Sequence, residues 1–334
     1  MKQKQFNYFK EKYIKKYMSY ATVAIIALIG IFLLSTSNAT TPFISVETES
    51  GNISSPATLF TNDQSASGNE GIKFGTKSTS TNSGCEINST VAPCIGGNNQ
   101  GASGWGNTVF QDEFNGTSLD TSKWAPCWFP GAFPGSDICG AMNDSRTLKS
   151  NVRVESGSVI LRQSSVTENS PEDHGALIMT LPSEVNGPGF TMTDGYFAEA
   201  RVYFPGNGSN CYNWPAWWIN GGQPGFGDGE IDVAEIGGTG RMGSNYHFDR
   251  GSGHETDNNP ISGYWCDGYH IYGVDRQEGQ NIVYFDGQEV VRYPTYDNGA
   301  PQYLIFNVGY KTGKTPKSGP ESDVKVDYVR VWKK

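Results

Sequence analysis

The sequence predicts an all-β fold, a sandwich of two antiparallel sheets, and three observations lead there. Glycine and proline are frequent, at 42 and 17 of 334 residues, and aromatic residues make up 13% of the chain against only 18% charged. From about Trp105, short aromatic and β-branched runs alternate with Gly, Pro and Asn breaks, giving about a dozen strands over roughly 230 residues with no helix between them. No heptad repeat appears, nor any P-loop or dinucleotide-binding glycine pattern behind a strand.

In chain order the expected strands are Asn107–Gln111, Val152–Glu155, Ser158–Gln163, Ala176–Thr180, Gly195–Phe204, Ala216–Ile219 and Glu230–Ile236. Tyr246–Phe248, Tyr269–Asp275, Asn281–Phe285, Gln288–Tyr293, Gln302–Val308 and Val324–Trp332 follow. Phe285-Asp286-Gly287-Gln288 is a hairpin signal, because Asp-Gly supplies the positive φ angles of a tight turn. The strand region, residues 104–334, reads as one domain.

The first 39 residues differ in kind. Residues 1–20 hold six Lys and one Glu, and Ala21–Leu34 is an uninterrupted run of apolar and small residues ending near Ser37-Asn38-Ala39. A basic segment, an apolar segment and a small-residue site make a secretory signal, cleaved after Ala39 or retained as a membrane anchor. The Lys excess places the N-terminus in the cytoplasm and the remainder outside. Residues 40–103, rich in Ser, Thr, Asn and Gly, read as a flexible linker. Strand-like spacing appears within it at Ala57-Thr58-Leu59-Phe60 and Ile72-Lys73-Phe74.

Six cysteines, all beyond the apolar run, suit an oxidising compartment. Close spacing favours Cys85–Cys94 and Cys127–Cys139, leaving Cys211 with Cys266, and no spacing suggests zinc. The net charge is -9, and removing the +5 of residues 1–20 leaves about -14. Such an acidic exterior repels phosphate backbones and excludes nucleic acid as a partner, while neutral sugars remain compatible.

The chemistry concentrates in Gly229-Glu230-Ile231-Asp232-Val233-Ala234-Glu235-Ile236. Side chains alternate along a strand, so Glu230 and Asp232 share a side and Glu235 points the other way. One surplus residue, a β-bulge near Val233-Ala234, restores Glu235 to the side of Glu230. The two glutamates then lie roughly 13 Å apart at Cα. Extended side chains could close their carboxyl groups to roughly 5–5.5 Å, the separation of a retaining glycosidase. Alone, the same pattern also fits an acidic surface strand or a cation site.

The wider pattern resembles glycoside hydrolase family 16, the laminarinase-type β-glucanases with a concanavalin A-like β-jelly roll. Gln111-Asp112-Glu113-Phe114-Asn115-Gly116, running on to Trp124, is similar to the family's opening strand and turn, and Asn151–Gly157 to its next hairpin. Glu199-Ala200-Arg201-Val202, Trp214-Pro215-Ala216-Trp217-Trp218, Tyr284-Phe285-Asp286-Gly287 and Val326–Trp332 follow in the family's order. Val274-Asp275-Arg276 departs from it, standing where the family usually has Glu-Trp.

The resemblance implies Glu230 as nucleophile, Glu235 as general acid/base and Asp232 as assisting carboxylate. Asp232 would tune Glu230 through a hydrogen bond, or simply hold the bulge. Substrate contacts are expected from Trp214, Trp218, Arg201, His247, Asn307 and Asn143. The tryptophans would stack on sugar rings or pack as core, and Arg201 would bond hydroxyls or pair with a carboxylate. Glu113 and Asp327 match positions that contribute to a structural calcium in many relatives. No cofactor is required.

The implied activity is exported endo-hydrolysis of β-1,3-glucan by a monomer. Hydrolysis or transglycosylation of another β-linked polymer, or a non-catalytic lectin, are the rivals.

Overall fold

The computed structural model describes residues 57–61, 70–74, 85, 90, 92–97, 104–127, 136–142, 144–165, 174–180, 189–221, 226–237, 240–310 and 316–334. The signal or anchor expected over residues 1–39, and Asn143, lie outside them. Among the described residues no helix is long and apolar enough to cross a membrane. The chain divides into two compact units, Met1–Thr79 and Ser80–Lys334. In the first, β1 (Ala57–Thr61) pairs antiparallel with β2 (Glu70–Phe74), so the span read as linker includes a hairpin at its strand-like spacings.

The second unit contains β3 (Thr108–Asp112), β4 (Ile138–Met142), β5 (Ser145–Leu148), β6 (Val152–Glu155), β7 (Ser158–Leu161), β8 (His174–Met179), β9 (Tyr196–Tyr203), β10 (Gly206–Asn207) and β11 (Asn210–Cys211). After these come β12 (Trp214–Gly221), β13 (Glu230–Ile236), β14 (Met242–Asp249), β15 (His254–Pro260) and β16 (Tyr269–Gln277). The last four are β17 (Gln280–Phe285), β18 (Gln288–Pro294), β19 (Gln302–Gly309) and β20 (Val324–Lys333).

They form a two-sheet sandwich of the jelly-roll kind. One sheet runs β15-β14-β13-β12-β19-β8-β5-β4; the other runs β18-β17-β16-β9-β20-β7-β6, with β3 also paired to β20. The first is mixed rather than wholly antiparallel, because β5 runs parallel to β8. Most expected strands are present within a few residues. β15, β4 and β5 had no sequence signal: β15 reads HETDNNP, a polar edge strand with no apolar alternation.

The core lies between the sheets. Ala198, Ala200 and Val202 of β9 meet Trp217 and Ile219 of β12 and Ile231, Val233, Ala234 and Ile236 of β13, all fully buried. Trp217 stacks on Phe306 with ring centroids 5.6 Å apart and planes 4° from parallel. Each buried Val, Ile or Phe among them contributes roughly 1.5–3 kcal/mol through lost water contact. The three disulfides are Cys85–Cys94, Cys127–Cys139 and Cys211–Cys266, the pairing the spacing favours.

The hairpin between β17 and β18 turns at Asp286 and Gly287, with φ +46° and +76°. A Cβ on Gly287 would lie 2.7 Å from Cys94 Sγ and 2.9 Å from Cys85 Sγ, so glycine is needed here for close approach as well as for φ. On β9, Glu199 is fully buried and accepts from the Cys94 N–H and the Tyr328 hydroxyl. Burial pushes its carboxyl up to about 7.

The departure at Arg276 has a structural role. Its guanidinium, wholly buried, meets Asp297 at 3.0 Å and donates to the Met192 carbonyl at 3.0 Å. Asp297 also accepts from the Tyr246 hydroxyl at 3.1 Å, and a Cβ on Gly229, the residue before Glu230, would strike it. This ion pair therefore links both sheets to the entry of β13. Arg276→Met strands the Asp297 charge and is expected to lower unfolding stability by about 3–5 kcal/mol in urea titration; a loss below about 1 kcal/mol would show the pair to be dispensable.

Candidate active site

β13 is an interior strand whose two neighbours show where the register slips. Against β12, Trp218 faces Asp232 and Trp217 faces Ala234, so Val233 has no partner of its own. Against β14, Asn245 faces Asp232 and Gly243 faces Glu235, leaving Ser244 opposite both Val233 and Ala234. That is the one-residue bulge required by the spacing. The Ser244 hydroxyl, fully buried, donates to the Asp232 carbonyl at 2.9 Å and satisfies a group that the bulge displaces.

The bulge sorts the side chains. Ile231, Val233, Ala234 and Ile236 enter the core, and Glu230, Asp232 and Glu235 share the opposite face. Beside Glu235, Asp232 and Glu230 on β12 stand Ala216, Trp218 and Asn220. A second apolar cluster lies on this face: Ala125, Leu177, Met179, Ala216, Trp218, Tyr303 and Ile305. The carboxylates thus border a packed floor.

Each carboxylate has distinct partners. Glu230 accepts from Asn220 Nδ2 at 2.7 Å, and its Oε1 lies 3.9 Å from His247 Nε2. Asp232 Oδ2 is 3.1 Å from His247 Nε2. Glu235 accepts from Trp214 Nε1 at 2.5 Å and from Asn245 Nδ2 at 2.9 Å. The nearest polar atoms of Glu230, Asp232 and His247 all fall within 4.8 Å of one another.

Crowded charge in a dry place favours protonation. Burial first, and then the negative charges of Asp232 and Glu235, push the Glu230 carboxyl up to about 8, with His247 opposing. Asp232 is held well above the carboxylate range by burial, by the charge of Glu235 and by a hydrogen bond shared with Glu235. Asp232 therefore bonds Glu235 and His247, not Glu230 as expected, because the bulge turns Glu235 towards it.

The structure brings Trp214 and His247 to the carboxylates. Trp218 and Asn307 are placed beneath them. Trp218 is 7% exposed and Asn307 2%, with the indole N–H donating to the Asn307 amide oxygen at 2.8 Å and Asn307 Nδ2 donating to the Trp214 carbonyl at 3.3 Å. They form floor, with no open ring or amide for a sugar.

Arg201 is a correction as well. It lies on β9 in the other sheet, 2.7 Å from Asp327 and 4.3 Å from the Tyr269 ring centre. That pairing overturns the calcium expectation too: Asp327 is taken by Arg201, and Glu113 by both arms of Arg330 at 2.8 Å. Two guanidinium groups already neutralise the acids, so these residues do not fit a cation.

Asn220 and Asn245 were missed. Asn245 was within reach of sequence reasoning, since it sits two residues before His247 and so shares its face. Asn220 needed the register. Phe226, His254 and Thr256, which surround His247, had no sequence signal.

No family model matches the chain. A curated relative from Niallia circulans, glucan endo-1,3-beta-glucosidase A1, is 26% identical over 264 residues, covering 68% of this chain and 38% of its own length. The Rhizobium meliloti endo-1,3-1,4-beta-glycanase ExsH is 30% identical over 153 residues, covering 43% of this chain and 31% of its own.

The resemblance is to laminarinase-type glycoside hydrolases of family 16. Among solved structures, the Bacteroides ovatus mixed-linkage-glucan GH16 protein in complex with a G4G4G3G product shares the fold. Its TM-score is 0.51 at 19% identity, and the match covers 67% of this chain and 99% of that one. The chain spans 38% and 31% of the lengths of the two curated relatives.

The coupling among the acids is measurable without substrate. Asp232→Asn removes the neighbour that raises Glu230 more than Glu235 does, so the Glu230 carboxyl is expected to titrate below about 8, with a smaller drop in Glu235→Gln. Carboxyl-carbon NMR titration reads both, and an unmoved Glu230 in each variant would contradict the coupling.

Proposed function

We propose that the chain is an exported, retaining endo-β-glycanase that hydrolyses internal β-1,3-glucosidic bonds. The observation that carries this is the bulge in β13, which sets Glu230 and Glu235 on one face with separate hydrogen-bond partners. Three disulfides fit an oxidising compartment, in keeping with export through residues 1–39.

In the first step a Glu230 oxygen attacks the anomeric carbon as the bond to the leaving sugar breaks. Glu235 gives its proton to the departing oxygen, leaving a glycosyl ester on Glu230. In the second, the Glu235 carboxylate takes a proton from water, whose oxygen attacks the same carbon and frees Glu230. Two inversions give net retention. Asp232, hydrogen-bonded to Glu235, stands beside the proton that water restores to Glu235 in the second step. Trp214 and Asn245 hold the Glu235 carboxylate while it awaits water. Asn220 fixes the Glu230 oxygen that is not attacking.

Glu230 must be ionised to attack, and in the free protein its carboxyl is raised to about 8. A raised carboxyl stays protonated at pH values where an ordinary one has ionised. The expected kcat/KM on soluble β-1,3-glucan therefore climbs with pH above the usual carboxylate range, and a profile already flat from about pH 5 would contradict the assignment.

A panel of β-1,3, mixed-linkage and galactan polymers tests specificity, with anomeric NMR of the first products showing retention. Glu230→Gln is expected to cut turnover by at least about 10³-fold while glucan binding persists. Binding with no turnover by the unaltered protein on any polymer would favour a lectin instead.

A further inference from the structure

Beyond the carboxylates the same face carries two histidines that the proposed chemistry leaves unused on one side. His247 Nδ1, turned away from the acids, lies 2.8 Å from Nε2 of His254 on β15. The Thr256 hydroxyl is 3.1 Å from the first nitrogen and 3.2 Å from the second. The Phe226 ring stacks on both imidazoles, with centroids at 5.6 Å and 4.2 Å, from a backbone held at φ +64°.

We propose that His254 is a positioning residue for the Glu230–Glu235 site, acting through His247 to fix which nitrogen of that ring carries the hydrogen facing Asp232 and Glu230. This rests on the reading of those glutamates as the reacting pair.

An imidazole nitrogen either donates or accepts, and a neutral ring offers one of each. His247 Nε2 faces the oxygens of Asp232 and Glu230, so it carries a hydrogen whenever either is ionised. Across the 2.8 Å contact only one hydrogen fits between the rings. When His247 is neutral, the arrangement that satisfies both is His254 Nε2–H donating to an accepting His247 Nδ1. A second proton on the pair would place two N–H groups head to head and part the rings.

Other charges near the pair are engaged elsewhere. Asp249, opposite His254 in register, accepts from the Gly251 and Gly253 N–H groups, and Glu255 is paired with Arg250. Phe226 contributes no charge. His254 is itself exposed, so removing it takes little from the core.

The test uses His254→Ala and His254→Gln, whose amide N–H can stand where the imidazole Nε2–H stood. Long-range proton–nitrogen NMR reads the His247 tautomer directly. The expected spectrum is one Nε2–H form in the unaltered protein, an averaged mixture in His254→Ala and recovery in His254→Gln.

On β-1,3-glucan, His254→Ala is expected to lose kcat on the order of tenfold with little change in KM, as for a group that orients rather than reacts. His254→Gln should recover most of it, because its amide N–H stands where the imidazole Nε2–H stood. An unchanged His247 tautomer in His254→Ala would overturn the proposal. So would a rate loss that His254→Gln fails to recover. If the unaltered protein cuts no β-glucan, the glycanase reading fails, and the spectrum still decides the positioning role.

Discussion

The site depends on one surplus residue. A regular strand would send Glu230 and Glu235 to opposite sides of the sheet, one to the floor and one into the hydrocarbon core. The slip at Val233–Ala234 prevents this at small cost. The inward positions stay apolar and fully buried, and the displaced Asp232 carbonyl finds the Ser244 hydroxyl. Strand parity, core packing and backbone satisfaction thus agree on one geometry. An irregularity that would be a defect in a structural strand becomes the means of pairing two acids.

The second constraint is charge. Three carboxyl groups on one half-buried face cannot all ionise cheaply, and the surroundings respond unequally. Glu235 has two N–H donors, Glu230 has an amide and a more distant imidazole, and Asp232 lies deepest between Glu235 and His247. That inequality gives carboxylates of similar chemistry different tasks. It also explains why asparagines flank them: amides donate hydrogen bonds without adding a titrating charge that would disturb the balance.

Much of this was legible in the sequence, for local reasons. The β13 limits, the bulge, the Asp286-Gly287 turn and two of the disulfides follow from residues close together in the chain, and Cys211–Cys266 is the pair they leave. What escaped required pairing partners. Trp218 and Asn307 were on the correct face, but parity does not say what covers a residue, and each satisfies the other beneath the site. Arg201 and Asp327, 126 residues apart, neutralise each other in the opposite sheet, a contact that sequence spacing does not show. His254 was hidden because β15 is a polar edge strand, and its value comes entirely from lying across from β14.

Both glutamates are proposed to address a single glycosidic bond, with Glu230 forming the covalent link. This is tested most directly by trapping that link. A β-1,3-gluco-oligosaccharide bearing a 2-fluoro group and an activated leaving group slows release of the ester more than its formation. Mass spectrometry of the digested protein should then place the sugar on the peptide containing Glu230, at the Glu230 side chain. Labelling of Glu235, or turnover with retention and no label on either glutamate, would contradict the account.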